Sequence, residues 1–166
     1  KQELEKRGVS VGTFISFEKK VSYLGTRNII CGKALDDRIG CYILLELAKK
    51  LKRTDCEVYF VFTVEEEIGL YGAKASAYTI QPDWAIAVET TNVYETDKTK
   101  IIGGGPCITV KDAGMIGNPC LNSWLERIAK KNKIPLQKDV SETGMTDALS
   151  ISLSRGGIPS TAVSVA

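Results

Sequence analysis

The sequence predicts an α/β fold: a mostly parallel sheet with helices on both faces, preceded by the tail of a small β domain. Three observations predict it. From residue 31 to 166, apolar runs of strand length alternate with segments of helical period. Gly-, Pro- and Asp-containing stretches separate these runs. Residues 1–30 break the alternation with short β-like segments, which assigns them to the end of a different, β-rich unit.

The elements follow in order. Residues 9–17 and 21–24 alternate in part, and a turn-like 25–28 precedes the apolar Ile29–Cys31, so three short strands are expected. Residues 36–52 place Ile39, Tyr42, Ile43, Leu44, Leu47 and Leu51 on one broad stripe with basic residues near the end, which predicts a helix. EVYFVFTV (57–64) is nearly continuous and β-branched, as a buried strand would be. A short helix is expected over 70–78, a second buried strand over 84–88, and a polar surface excursion over 90–100. The GGGP at 103–106 predicts a turn, because no basic residue sits at phosphate-loop spacing. Strand 107–110, helix 121–131, strand 136–140, helix 147–154 and strand 158–165 complete the chain.

Composition narrows the chemistry. Twenty-two basic and 20 acidic residues leave a net charge of +2, with the basic residues scattered, so a nucleic-acid partner is not expected. No apolar run reaches the roughly 18–20 residues of a membrane span, and KQELEKRGVSVG has no signal-peptide pattern. Five cysteines without close paired spacing favour reduced thiols and a cytoplasmic location. Histidine is absent from all 166 residues. Within this chain that excludes a Ser-His-Asp triad, a Cys-His pair and a histidine zinc helix.

The acids fall in equivalent places. Asp36 and Asp37 precede the first long helix, Glu65, Glu66 and Glu67 follow the apolar run ending at Val64, and Glu89 closes WAIAVE. Ligands of open α/β sheets bind at the carboxyl ends of the strands, so these acids would converge on one edge. Clustered carboxylates repel one another unless positive charge is close, and a pair of divalent cations would supply it. Each position also has a plainer reading. Asp37 can cap the helix, EEE can be a solvated first turn, and one acid after a strand is unremarkable.

GKALDDRIG, FVFTVEEEIGLYGA, WAIAVETT and GMTDALSISLSRGGIPSTAVSV, in this order and spacing, resemble the tetrahedral or glutamyl aminopeptidase family, some of whose members carry an endoglucanase or cellulase label. The resemblance implies a metallo-exopeptidase-like fold. Residues 31–166 would be an incomplete catalytic domain and 1–30 the end of an inserted oligomerisation domain. It also implies removal of amino-terminal residues from peptides through a dinuclear zinc or cobalt centre, by a protein whose parent is a homo-oligomer. By motif position, Asp36 matches the aspartate bridging two metal ions. Glu66 matches the general base, and Glu67 and Glu89 match carboxylate ligands of one metal each. Asp37 lies beside the site. Thr146 and Asp147 match a substrate-lining loop, with Met145 departing from the family's glycine.

The family also uses two histidine ligands that have no counterpart here, so the resemblance implies a chain truncated at both ends. Metal binding is expected to be weak or absent, and the chain alone inactive. Two other readings stand beside this one: a non-catalytic structural fragment, and an endoglucanase-type hydrolase using paired carboxylates. Trp84 and Trp124 are expected in the core, which argues against a sugar platform.

Overall fold

A computed structural model describes residues 1–18, 20–25, 28–94 and 99–166. The chain divides into two compact units, Lys1–Leu35 and Asp36–Ala166.

The first unit opens with helix α1 (Gln2–Lys6), braced by an Arg7–Glu3 ion pair of 3.0 Å. Strand β1 (Ser22–Leu24) pairs antiparallel with β2 (Ile29–Cys31), as expected. Residues 9–17 form no strand. Ser10 and Thr13 close a turn instead, in which the Thr13 N–H donates to the Ser10 carbonyl at 3.1 Å and Gly12 takes φ +92°. A left-handed glycine within the run ends any extended pairing.

In the second unit, helix α2 (Leu35–Lys50) carries non-helical backbone at Asp36 and Asp37, so its regular turns begin after them. Asp37 Oδ1 accepts the Gly40 N–H at 3.0 Å. Helix α3 (Tyr71–Ile80) starts at a left-handed Leu70 and buries Ala73 and Ala77, one turn apart. Strand β3 (Ala85–Thr90) and β4 (Cys107–Lys111) follow.

Helix α4 (Pro119–Lys131) is opened by Asn118, whose Oδ1 accepts the N–H groups of Cys120 and Leu121 at 3.0 and 3.1 Å. Proline at the first helical position and lysines in the last turn complete its start and stop signals. Strand β5 (Gln137–Val140), helix α5 (Asp147–Ser152) and strand β6 (Ser160–Val165) finish the chain. Thr146 caps α5 by accepting the Ala148 N–H.

The four-stranded sheet runs β3-β6-β4-β5, with β3 parallel to β6, β4 parallel to β5, and β4 antiparallel to β6. Helices cover both faces. Thr161 of β6 donates to Asn122 of α4 at 2.7 Å, whereas the next residue, Ala162, packs with Ala148 of α5 and Ala87 of β3. Successive strand residues point to opposite faces, so α4 and α5 lie on opposite sides. A buried Lys100–Asp139 ion pair of 2.6 Å, with Thr91 donating to Asp139, ties the edge strand β5 to the segments after β3.

Two expectations are corrected. Residues 57–64 form no strand, and Val58, Tyr59, Phe62 and Val64 are exposed, Val64 at 68%. Among the described residues this run pairs with no other strand, so those four side chains stay exposed, while Phe60, Val61 and Thr63 are half-buried. Trp84 and Trp124 are not core. They are 48% and 38% exposed and meet edge to face with ring centres 5.5 Å apart. The polar excursion expected over 90–100 falls partly outside the described residues.

Candidate metal centre

Three of the sequence-derived acids meet. One carboxylate oxygen from each of Asp36, Asp37 and Glu89 lies within 4.8 Å of the other two. The elements explain the convergence. Glu89 sits next to the carboxyl end of β3, and the non-helical start of α2 turns Asp36 and Asp37 out of helical register before Gly40 closes the first turn. A Cβ at Gly40 would meet the Asp37 carboxylate, which would have to move from its present place. The capping and the clustering readings of Asp37 therefore both hold: one oxygen serves the helix, and the group still faces its neighbours.

Glu66 and Asp147 share the electrostatic field of this cluster. Asp147 Oδ2 accepts from the Thr63 hydroxyl at 2.6 Å, while its Oδ1 is buried with no hydrogen-bond partner among the described residues. Burial, then the charges of Asp147, Glu67, Asp36 and Asp37, push Glu66 up to about 7. Burial likewise raises Glu89 to about 8 against a lowering Thr90 N–H bond, with Asp37 and Asp36 adding to the rise. Asp37 rises to about 6, from burial opposed by the Gly40 N–H and reinforced by Asp36 and Asp147. Asp147 is raised by burial and held back by Thr63. Burial is the largest cause of each rise, and neighbouring carboxylates add to it at Asp37, Glu66 and Glu89.

A bound cation would relieve the mutual repulsion of these carboxylates, and an all-oxygen donor set suits divalent ions. Glu67 lies outside the three-acid cluster and is exposed, although its charge reaches Glu66. Thr146 and Asp147 occupy the amino end of α5, with the Thr146 hydroxyl engaged in capping. Thr63 and Gly40 were not among the sequence-derived candidates. Gly40 had a signal, a glycine one turn after paired aspartates in a helix pattern; Thr63 had none, since a lone threonine in an apolar run is ordinary β composition.

A family model, M42 glutamyl aminopeptidase, matches residues 1–166. This chain belongs to the M42 glutamyl aminopeptidase family. It is 35% identical to lysyl aminopeptidase of Pyrococcus furiosus over 171 aligned positions, covering 99% of this chain and 48% of that protein. Among solved structures it resembles aminopeptidase APDkam598 of Desulfurococcus kamchatkensis, with TM-score 0.88, 39% identity, and 99% and 48% of the two chains covered. It also resembles the TET1 peptidase of Pyrococcus horikoshii, with TM-score 0.69, 33% identity, and 81% and 41% covered; that protein assembles into a tetrahedron or a large octahedral shell. The M42 chain described here spans under half the length of the curated relatives it matches.

Proposed function

We propose that this M42 chain carries the carboxylate portion of a dinuclear metal centre in an aminopeptidase that removes amino-terminal residues from peptides. The observation that supports it is the convergence of Asp36, Asp37 and Glu89. Asp36, Glu89 and Glu67 would hold the ions, and Asp37 is fixed beside them through Gly40. Zinc or cobalt, when bound there, would polarise the scissile carbonyl and activate water. Glu66 is the general base: its carboxylate takes the proton from the attacking water and delivers it to the departing amine. An ordinary value raised to about 7 suits that exchange near neutral pH. Asp147, oriented by Thr63, adds negative charge that favours the substrate's terminal ammonium.

With no histidine in its sequence, this chain would hold its ions through carboxylates alone, so metal binding is weak and turnover by the isolated chain is negligible. The family-length protein works in the cytoplasm as a homo-oligomer. No helix among the described residues is long and apolar enough to cross a membrane.

The endoglucanase reading lacks a platform. Trp84 sits five residues before Glu89, about 16 Å along an extended strand, so the paired indoles lie at the end of β3 remote from the acids.

The test grafts this chain onto a relative that covers its full length. In a chimera, residues 1–166 replace the matching part of the Desulfurococcus aminopeptidase. The chimera is expected to cleave amino-acyl anilides with zinc or cobalt and to leave carboxymethylcellulose intact. Glu66→Gln should lower the rate by at least about 10²-fold without changing metal stoichiometry. A folded, metal-loaded chimera that cleaves no anilide, or that cleaves cellulose, overturns the reading.

A further inference from the structure

Helices α3 and α5 flank an open groove of about 770 Å³ within the unit Asp36–Ala166, in the size range of small-ligand pockets. Its walls are largely apolar and aromatic, formed by Leu70, Tyr71, Tyr78 and Leu153, and its charged groups are Lys74 and Arg155. No acidic side chain lines it. Neither cation forms an ion pair among the described residues.

Arg155 is held ready. Its Nε and Nη2 donate to the Tyr78 carbonyl at 2.9 and 2.6 Å, and its Cζ stands 4.0 Å over the Tyr78 ring. A guanidinium has five N–H donors, so this anchoring leaves donors for an anion. The amino end of α3 does not compete for that role: the N–H groups of Gly69, Leu70, Tyr71 and Gly72 are already donated to carbonyls of Val64, Glu65 and Glu66. Two side-chain cations above apolar walls match one planar charge on an apolar body, rather than a phosphate cradled by backbone amides.

We propose that the α3–α5 groove binds a small carboxylic acid with an aromatic or branched apolar body, its carboxylate on Lys74 and Arg155. Neither cation belongs to the acid cluster, and this binding needs neither metal nor peptide.

The experiment titrates the isotope-labelled chain with 3-phenylpropionate and follows backbone amide shifts. Parallel titrations use 3-phenylpropionamide and inorganic phosphate. The expected result is saturable binding with shifts concentrated in 70–79 and 149–155, and amide and phosphate at least about tenfold weaker than the acid. Lys74→Gln, at an exposed position, should keep the fold and weaken the acid severalfold. Arg155→Lys should also weaken it, because the planar fork is lost while the charge stays. Equal binding of acid and amide, phosphate binding as tight as the acid, no saturation, or unchanged affinity in both variants would each overturn the proposal.

Discussion

Asp37 shows how one residue can satisfy two demands at once. Its Oδ1 closes the first turn of α2 on the Gly40 N–H at 3.0 Å, and its carboxyl still lies in the acid cluster. A single sequence could not choose between cap and ligand because the same geometry serves both. Thr63 was unreadable for another reason: its partner Asp147 is 84 residues away, and only the fold brings them together. Thr63→Val should cost about 1–3 kcal/mol in urea denaturation, since a near-isosteric change removes a 2.6 Å bond to a part-buried carboxylate. A loss below the error of the melt would mean that Asp147 is not held by Thr63. Gly40→Ala should be more disruptive than an ordinary helix Gly→Ala, which stabilises by a fraction of a kcal/mol. Here the added methyl meets the Asp37 carboxylate, so lowered stability together with weaker metal binding is expected.

Among the elements, α4 carries a local start signal that the apolar period does not record. The Asn118-Pro119 start of α4 is a cap followed by a first-turn proline, and the helix begins there, two residues before the apolar pattern alone would place it. Asn118→Ala should cost about 1 kcal/mol in thermal or urea melts, with helix content reduced by circular dichroism. Residues 57–64 fail in the opposite way. Their composition states a preference for extended backbone but cannot state which strand will pair with them, and among the described residues none does. What anchors the end of this run is α3: Gly72 approaches so closely that a Cβ would lie 2.5 Å from the Val64 backbone N and O. Gly72→Ala therefore separates α3 from Val64 and should lower the midpoint of unfolding, a result checked against Ala75→Gly on the exposed face of the same helix. Equal effects of the two changes would contradict this contact.

Across the whole molecule, the α/β class and, from residue 70 onward, the order of the strand–helix units were legible because hydrophobic period survives any detail of packing. The antiparallel pairing of β4 with β6 inside the four-stranded sheet was not, since strand direction depends on connections that periodicity does not record. Charge sets the pH behaviour. Asp37, Glu66 and Glu89 have folded values raised to about 6, 7 and 8. The native state therefore keeps protons that the unfolded chain has already released, so the metal-free chain loses stability as pH rises from about 4.5 through about 8. Urea melts at pH 5 and pH 8 without metal should show the lower midpoint at pH 8, and added zinc should restore more of it at pH 8 than at pH 5. A midpoint that rises with pH would contradict the raised values.

The most direct test of the central claim is a calorimetric titration of the chain with zinc and cobalt, alongside Asp36→Ala and Glu89→Ala variants shown to be folded. The expected result is saturable binding, weak because no imidazole contributes, that falls at least about tenfold in each variant. No binding by the parent chain, or binding equal in all three proteins, would contradict it.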